Sequence, residues 1–113
     1  MRSTRDVVDP NNDVSMGQYS DPPILVLASL AGGPKHGHAM IEDIASLCGT
    51  RLGPGTLYGA IARLEKQGWI AALPPDDRRR PYCITAEGLS VFRARLSTLE
   101  HFVRASAARL EPL

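Results

Sequence analysis

The amino-acid sequence predicts a mainly α fold with a small β-hairpin, on three observations. Three apolar-periodic segments follow one another between residues 21 and 67, each closed by glycine or proline. Two short apolar runs then flank Pro74-Pro75-Asp76-Asp77. Beyond them Leu89, Phe92, Leu96, Leu99, Val103, Ser106 and Leu110 recur at alternating three- and four-residue steps, interrupted only by Ser106. With 113 residues and 43% hydrophobic content the chain makes one small domain with a modest core.

Residues 1–20 carry few apolar side chains and no period, too little to offset the cost of ordering a backbone, and read as a flexible tail. Asp21 then supplies a helix cap and Pro22 suits the first turn. Ile24, Leu25, Leu27, Ala28 and Leu30 follow, and Gly32-Gly33-Pro34 stops the helix. A second helix is expected over 37–47, with Met40, Ile41, Ile44, Ala45 and Leu47 inside, Glu42, Asp43 and Ser46 outside, and Gly49 as its stop. The third runs from about 55 to 67, burying Leu57, Ile61 and Leu64 and turning Thr56, Tyr58, Gly59, Arg63 and Lys66 elsewhere. Residues 69–73 and 82–84 read as two strands joined by a turn at 74–77, which puts Arg78, Arg79 and Arg80 on the return limb. Thr85 caps a final helix through about Leu110. Three helices, a hairpin and a long helix, in that order, make a winged helix-turn-helix over 21–85. A dimerisation helix over 86–113 follows, because a small monomer has no surface to cover a heptad seam of Leu89, Phe92, Leu96, Leu99, Val103 and Leu110.

Several function classes are excluded. The longest apolar run, residues 24–31, is broken by Ser29 and is far shorter than the roughly 18–20 residues of a membrane span. Asp6, Asp9, Asp13 and Asn11-Asn12 stand where a secretory signal would be apolar, so the reading is a cytoplasmic protein without membrane partners. Cys48 and Cys83 make neither a disulfide framework nor a zinc quartet. His36, His38 and His101 lack ligand spacing, so no metal is expected and His36 reads as turn packing between helices. The stretch from Gly32 to His38 has His where a phosphate-binding loop needs Lys. Gly53-Pro54-Gly55 lacks the third glycine of a dinucleotide motif. No nucleophile, base and orienting group share local context. Neither an enzyme nor a cofactor is expected.

Net charge is only +1, but residues 51–80 hold six basic and three acidic side chains. Duplex DNA admits one helix into its major groove, and the third helix offers Thr56, Tyr58, Arg63 and Lys66 off its core stripe. Gly59 and Ala62 are small enough to let its backbone lie close. Thr56 reads equally well as a helix cap, and Tyr58 as a half-buried packing aromatic. A wing carrying Arg78, Arg79 and Arg80 can reach flanking phosphates or the minor groove. Double-stranded DNA and a second copy of the chain are therefore the expected partners. The alternative is a winged-helix protein-interaction module whose apolar seam recruits another protein while the wing is merely solvated.

Three co-linear blocks over about residues 21–88 carry a family resemblance. Leu30-Ala31-Gly32-Gly33-Pro34-Lys35-His36-Gly37-His38-Ala39-Met40 resembles the "LLxxGPxHGYEI" turn of PadR-family transcriptional regulators. The run from Gly55-Thr56-Leu57-Tyr58-Gly59 to Arg63-Leu64-Glu65 and Gly68-Trp69-Ile70 is similar to that family's "GTLYPALxRLExxGLI" recognition helix. Arg78-Arg79-Arg80-Pro81-Tyr82-Cys83-Ile84-Thr85-Ala86-Glu87-Gly88 resembles its "RRRxYxLTxxG" wing. The resemblance implies a homodimeric regulator, usually a repressor, on an inverted-repeat operator. It also implies base or backbone contacts from Thr56, Tyr58, Arg63, Arg79 and Arg80. The chain departs from the pattern in having Gly59 for proline and His38 for tyrosine. Some shorter members of the family it resembles bind flat aromatic drugs between subunits through a tryptophan of the dimerisation helix. Here that helix has only Phe92 and Phe102, with Trp69 on the wing, so no small-molecule effector is identified.

Overall fold

The computed structural model describes residues 21–112, so the expected tail and Leu113 lie outside the described residues. The elements are α1 (Pro22–Ala31), β1 (Lys35–His36), α2 (Gly37–Cys48), α3 (Pro54–Lys66), β2 (Ile70–Ala72), β3 (Pro81–Ile84) and α4 (Ala86–Ala108). A mainly α winged-helix fold is what the sequence predicts. Among the described residues, no helix is long and apolar enough to cross a membrane.

Helix α1 is apolar on nearly every side and accordingly sits at the centre, with Ile24, Leu25, Val26, Leu27 and Leu30 all buried. It packs on α2, α3, α4 and β3. Asp21 Oδ1 accepts the Ile24 N–H at 3.4 Å as the predicted cap, and its Oδ2 meets Arg95 Nη1 at 3.4 Å, joining the start of α1 to α4. Met40, Ile41 and Ile44 from α2 and Leu57, Ala60, Ile61 and Leu64 from α3 complete the core with Leu52 and Ile70.

Two readings of α2 need correction. Leu47, expected inside, is 59% exposed, and its neighbours Ser46 and Cys48 at the end of α2 are exposed as well. Asp43, expected outside, is half-buried and accepts from the hydroxyl of the buried Ser29 at 2.7 Å. Lys35 completes that network. Its ammonium donates to the Ser29 carbonyl and to the Gly33 carbonyl at 3.0 Å, with Asp43 3.7 Å away. The buried polar atoms at the end of α1 are thereby satisfied, as burial requires.

Strand β1 is not legible as a strand in the sequence. It is two residues long and pairs antiparallel with β3, Lys35 opposite Tyr82 and His36 opposite Pro81. On its other edge β3 pairs with β2, Ile70 opposite Ile84 and Ala72 opposite Tyr82, so the sheet order is β1-β3-β2. The hairpin tip also differs from expectation. Asp76 and Arg79 exchange N–H···O bonds of 2.7 and 2.8 Å, and Asp77 and Arg78 between them have φ of 49° and 69°. Positive φ at both central positions is the type I′ turn that matches strand twist. The turn therefore sits at 77–78, and Arg78 belongs to its tip and not to the return limb.

Helix α3 ends in a Schellman motif, with Gly68 at φ 80° and Trp69 N–H bonded to the Leu64 carbonyl at 3.1 Å. The chain then turns into β2. Thr85 fastens the other end of the hairpin: its hydroxyl donates to the Gly68 carbonyl at 2.8 Å and accepts the Gly88 N–H at 3.0 Å as the cap of α4. Gly88 is buried against the Trp69 backbone, where an added Cβ would lie 2.0 Å from the Trp69 carbonyl oxygen. Gly88→Ala is expected to lower stability by about 1–3 kcal/mol, since the obstructing atom is main chain and cannot rotate away. Unchanged thermal unfolding in that variant would contradict this junction.

Candidate nucleic-acid interface

The exposed face of α3 is bounded by Thr56 and Arg63 on one edge and by Tyr58 and Glu65 on the other, as helical spacing dictates. Between the edges lie Gly55, Gly59, Ala62 and Lys66, all exposed. Neither glycine has a folding reason. No atom lies within 4 Å of a Cβ built on Gly55 or Gly59, and neither has positive φ. Thr56 is not the helix cap. That position is Gly53, followed by Pro54, so the threonine hydroxyl has no capping bond to make.

Tyr58 is 50% exposed, yet its phenol leans over the start of α2. A Cβ on Gly37 would fall 2.3 Å from the Tyr58 hydroxyl oxygen, so Gly37 leaves room for α3 to dock on α2. The α2–α3 turn is braced on the surface by Arg51, bonded to both Glu42 carboxylate oxygens at 2.9 and 3.1 Å. That hydrogen bonding, with the attraction of the guanidinium, holds the Glu42 carboxyl below its usual range. Tyr82 is pushed the other way. Burial raises its phenol pKa, Glu65 and Tyr58 add to the shift, and Arg80 opposes it.

Arg78, Arg79 and Arg80 are all exposed on the wing. With His36, His38, Tyr58 and Tyr82 they line an open groove of about 370 Å³ between α2, α3 and the hairpin. Asp76 and Asp77, which dilute the triplet in the sequence, line an adjoining recess of about 470 Å³ with Pro34, Lys35, His36, Ala39, Arg79 and Pro81. His36 and Arg79 line both hollows, and the groove toward α3 has no carboxylate in its lining. Arg80 Nη1 donates to the Leu73 carbonyl at 3.0 Å, and Arg79 Nη1 lies 3.1 Å from His36 Nε2. Arg78 has a backbone conformation that non-glycine residues rarely adopt, which holds a cation at the hairpin tip.

The structure therefore brings Tyr58 together with the three wing arginines, and leaves Thr56, Arg63 and Lys66 on the neighbouring face of α3. Sequence reading missed His36 and His38 as members of the groove. The signal was available in principle, since β1 pairing with β3 carries His36 to the wing, but a two-residue strand has no periodicity. Among the described residues there is no group of three or more His, Cys, Asp or Glu that could hold a metal ion.

The seam on α4 divides in two. Leu89, Phe92 and Leu99 are half-buried within the chain, and Phe92 packs on its own core. Leu96 is 46% and Val103 61% exposed, and from residue 100 onward every described residue except Ser106 is exposed. Leu110 is 86% exposed and lies just past the end of α4 at Ala108, short of the helical register expected for it. Phe102, outside the heptad stripe, is also 66% exposed.

Comparison with known proteins fits this geometry. Residues 26–94 match the family model described as the transcriptional regulator PadR-like family. The chain is 48% identical over 69 residues to an uncharacterized 37.1 kDa protein in transposon TN4556 of Streptomyces fradiae. That alignment takes in 61% of this chain and only 20% of the transposon protein. A PadR family transcriptional regulator from Eggerthella lenta superposes with a TM-score of 0.69 at 30% identity, covering 80% of this chain and 82% of that one. A PadR family transcription regulator from Clostridium difficile shares the fold, with a TM-score of 0.72 at 19% identity over 80% of this chain and 98% of its own. A family match across more than half of the chain, on a winged-helix frame with a bare, basic α3 face, places this protein in the PadR-like family of DNA-binding transcriptional regulators.

Proposed function

We propose that the chain is a cytoplasmic homodimeric repressor that binds an inverted-repeat operator. Residues 21–85 are the DNA-reading unit, 86–113 the dimerisation segment and 1–20 a tail. In this reading α3 enters the major groove, with Thr56, Tyr58, Arg63 and Lys66 toward base edges and adjacent phosphates. Arg78, Arg79 and Arg80 hold the flanking backbone. The observation that carries the proposal is the face of α3: two glycines that the fold does not require lie between polar edges and beside a groove without a carboxylate. Helical glycine costs stability, and closeness to a duplex backbone is a reason to keep it. For the dimer the support is α4, whose outer half exposes Leu96, Val103 and Phe102. Two copies joined there would set their recognition helices about 34 Å apart, one turn of duplex.

Replacing Gly59 by alanine separates folding from binding. The variant is expected to gain up to about 1 kcal/mol of stability from helix propensity while binding a selected duplex about tenfold more weakly. A gain in stability with undiminished affinity would count against a closely docked α3. Val103→Glu tests the dimer. Because Val103 is 61% exposed, the protomer tolerates the charge, whereas a seam does not. Sedimentation should then find monomers, with operator affinity reduced by about a hundredfold or more through loss of bivalence. A dimeric V103E protein would move the interface elsewhere.

A further inference from the structure

Gly37 opens α2, and nothing in its backbone asks for glycine. Its φ is not positive, and helix propensity favours alanine over glycine. What the glycine accommodates is a side chain from another helix. The three atoms nearest to a Cβ built on Gly37 all belong to the Tyr58 phenol: Oη, Cζ and Cε1, the last of them 3.1 Å away. The phenol thus occupies the space of the missing Cβ. Gly88 is the contrasting case, since the atom that blocks a Cβ there is the main-chain oxygen of Trp69. At Gly37 the obstruction is the far end of a side chain that is 50% exposed, which can swing aside without unpacking the core.

Tyr58 carries a hydroxyl that makes no hydrogen bond among the described residues, although a phenol both donates and accepts. It stands at the edge of the exposed α3 face and lines the groove toward the wing. Seated on α2, its ring also stays clear of Gly55, one turn earlier on α3, where no atom lies within 4 Å of an added Cβ. We infer that Gly37 is a positioning residue for DNA binding. By giving the Tyr58 phenol a seat on α2, it fixes where the free hydroxyl meets the duplex and keeps the ring off the bare strip of α3. The inference rests on the DNA-binding reading and gives Gly37 no contact of its own with DNA. A methyl group at position 37 takes the phenol's place, so the ring has to leave its seat for a strained rotamer or a different one. Order that the glycine provides in advance must then be supplied at the moment of binding, which weakens association.

The test compares the wild type with Gly37→Ala, Tyr58→Ala and the double variant on a duplex selected from a random pool by the wild type. G37A is expected to unfold within about 5 °C of the wild type and to bind about tenfold more weakly. Y58A should bind at least as weakly as G37A. The double variant should bind no more weakly than Y58A, because without the phenol a methyl group at 37 displaces nothing. A glycine needed only for packing would move stability and leave the affinity of the folded protein unchanged. In the free wild-type protein the Tyr58 ring should give nuclear Overhauser contacts to the α protons of Gly37, and in G37A the contact to the α proton of residue 37 should be lost. Absence of those contacts in the wild type refutes the seat without reference to DNA. If G37A binds as tightly as the wild type, or if its loss adds in full to that of Y58A, the positioning role is refuted while DNA binding stands. A G37A protein that fails to fold makes the glycine a packing requirement and refutes the role likewise. If the wild type retains no duplex at all, the DNA-binding reading falls and the positioning role with it, whatever the Overhauser contacts show.

Discussion

Strand β3 is paired along both of its edges, and the geometry of the interface depends on that pairing. One edge takes β1, the residues immediately before α2. The other takes β2, the residues immediately after α3. The strand then runs through Thr85 into α4, and the Thr85 hydroxyl is bonded back to the carbonyl of Gly68 at the end of α3. The wing is therefore not an appendage. It is welded to both helices of the helix-turn-helix, so the basic hairpin and the exposed face of α3 keep a fixed relation. Each ladder bond contributes only about 1 kcal/mol, but together they remove the freedom that would otherwise have to be lost when a duplex binds.

Charge is used sparingly in this frame. A net charge of +1 gives no long-range pull on nucleic acid. Arg78, Arg79 and Arg80 line the groove toward α3, whereas Asp76 and Asp77 line the adjoining recess, which Arg79 also borders. Attraction is then local, and screening by salt limits it to contacts within about 10 Å. A duplex is then held through local contacts and not by long-range steering.

Most of the fold was legible because it is written in periodicity and punctuation. Asp21, Gly49, Gly68 and Thr85 end or begin helices as their side chains and φ preferences dictate. The apolar stripes of α2 and α3 bury Met40, Ile44, Leu57, Ile61 and Leu64 as spacing requires. What escaped was decided by pairing between distant residues. Nothing local marks Lys35 and His36 as a strand, since β3 supplies their partners 45 residues or more later. Asp43 reads as a surface carboxylate until Ser29 and Lys35 close on it. The site was legible in outline, because Thr56, Arg63 and the arginine triplet are polar where the core stripe leaves them free. The place of His36 beside the wing was not, because it depends on a neighbour 43 residues away.

The central claim is that α3 and the wing together take the backbone of a duplex. Its most direct measurement is the affinity of the full chain for a selected duplex as monovalent salt is raised. Neutralising about six to ten phosphates predicts that the association constant falls with roughly the fifth to ninth power of salt concentration. An affinity that hardly changes with salt would contradict the account and would point to a module that recruits protein through the apolar face of α4.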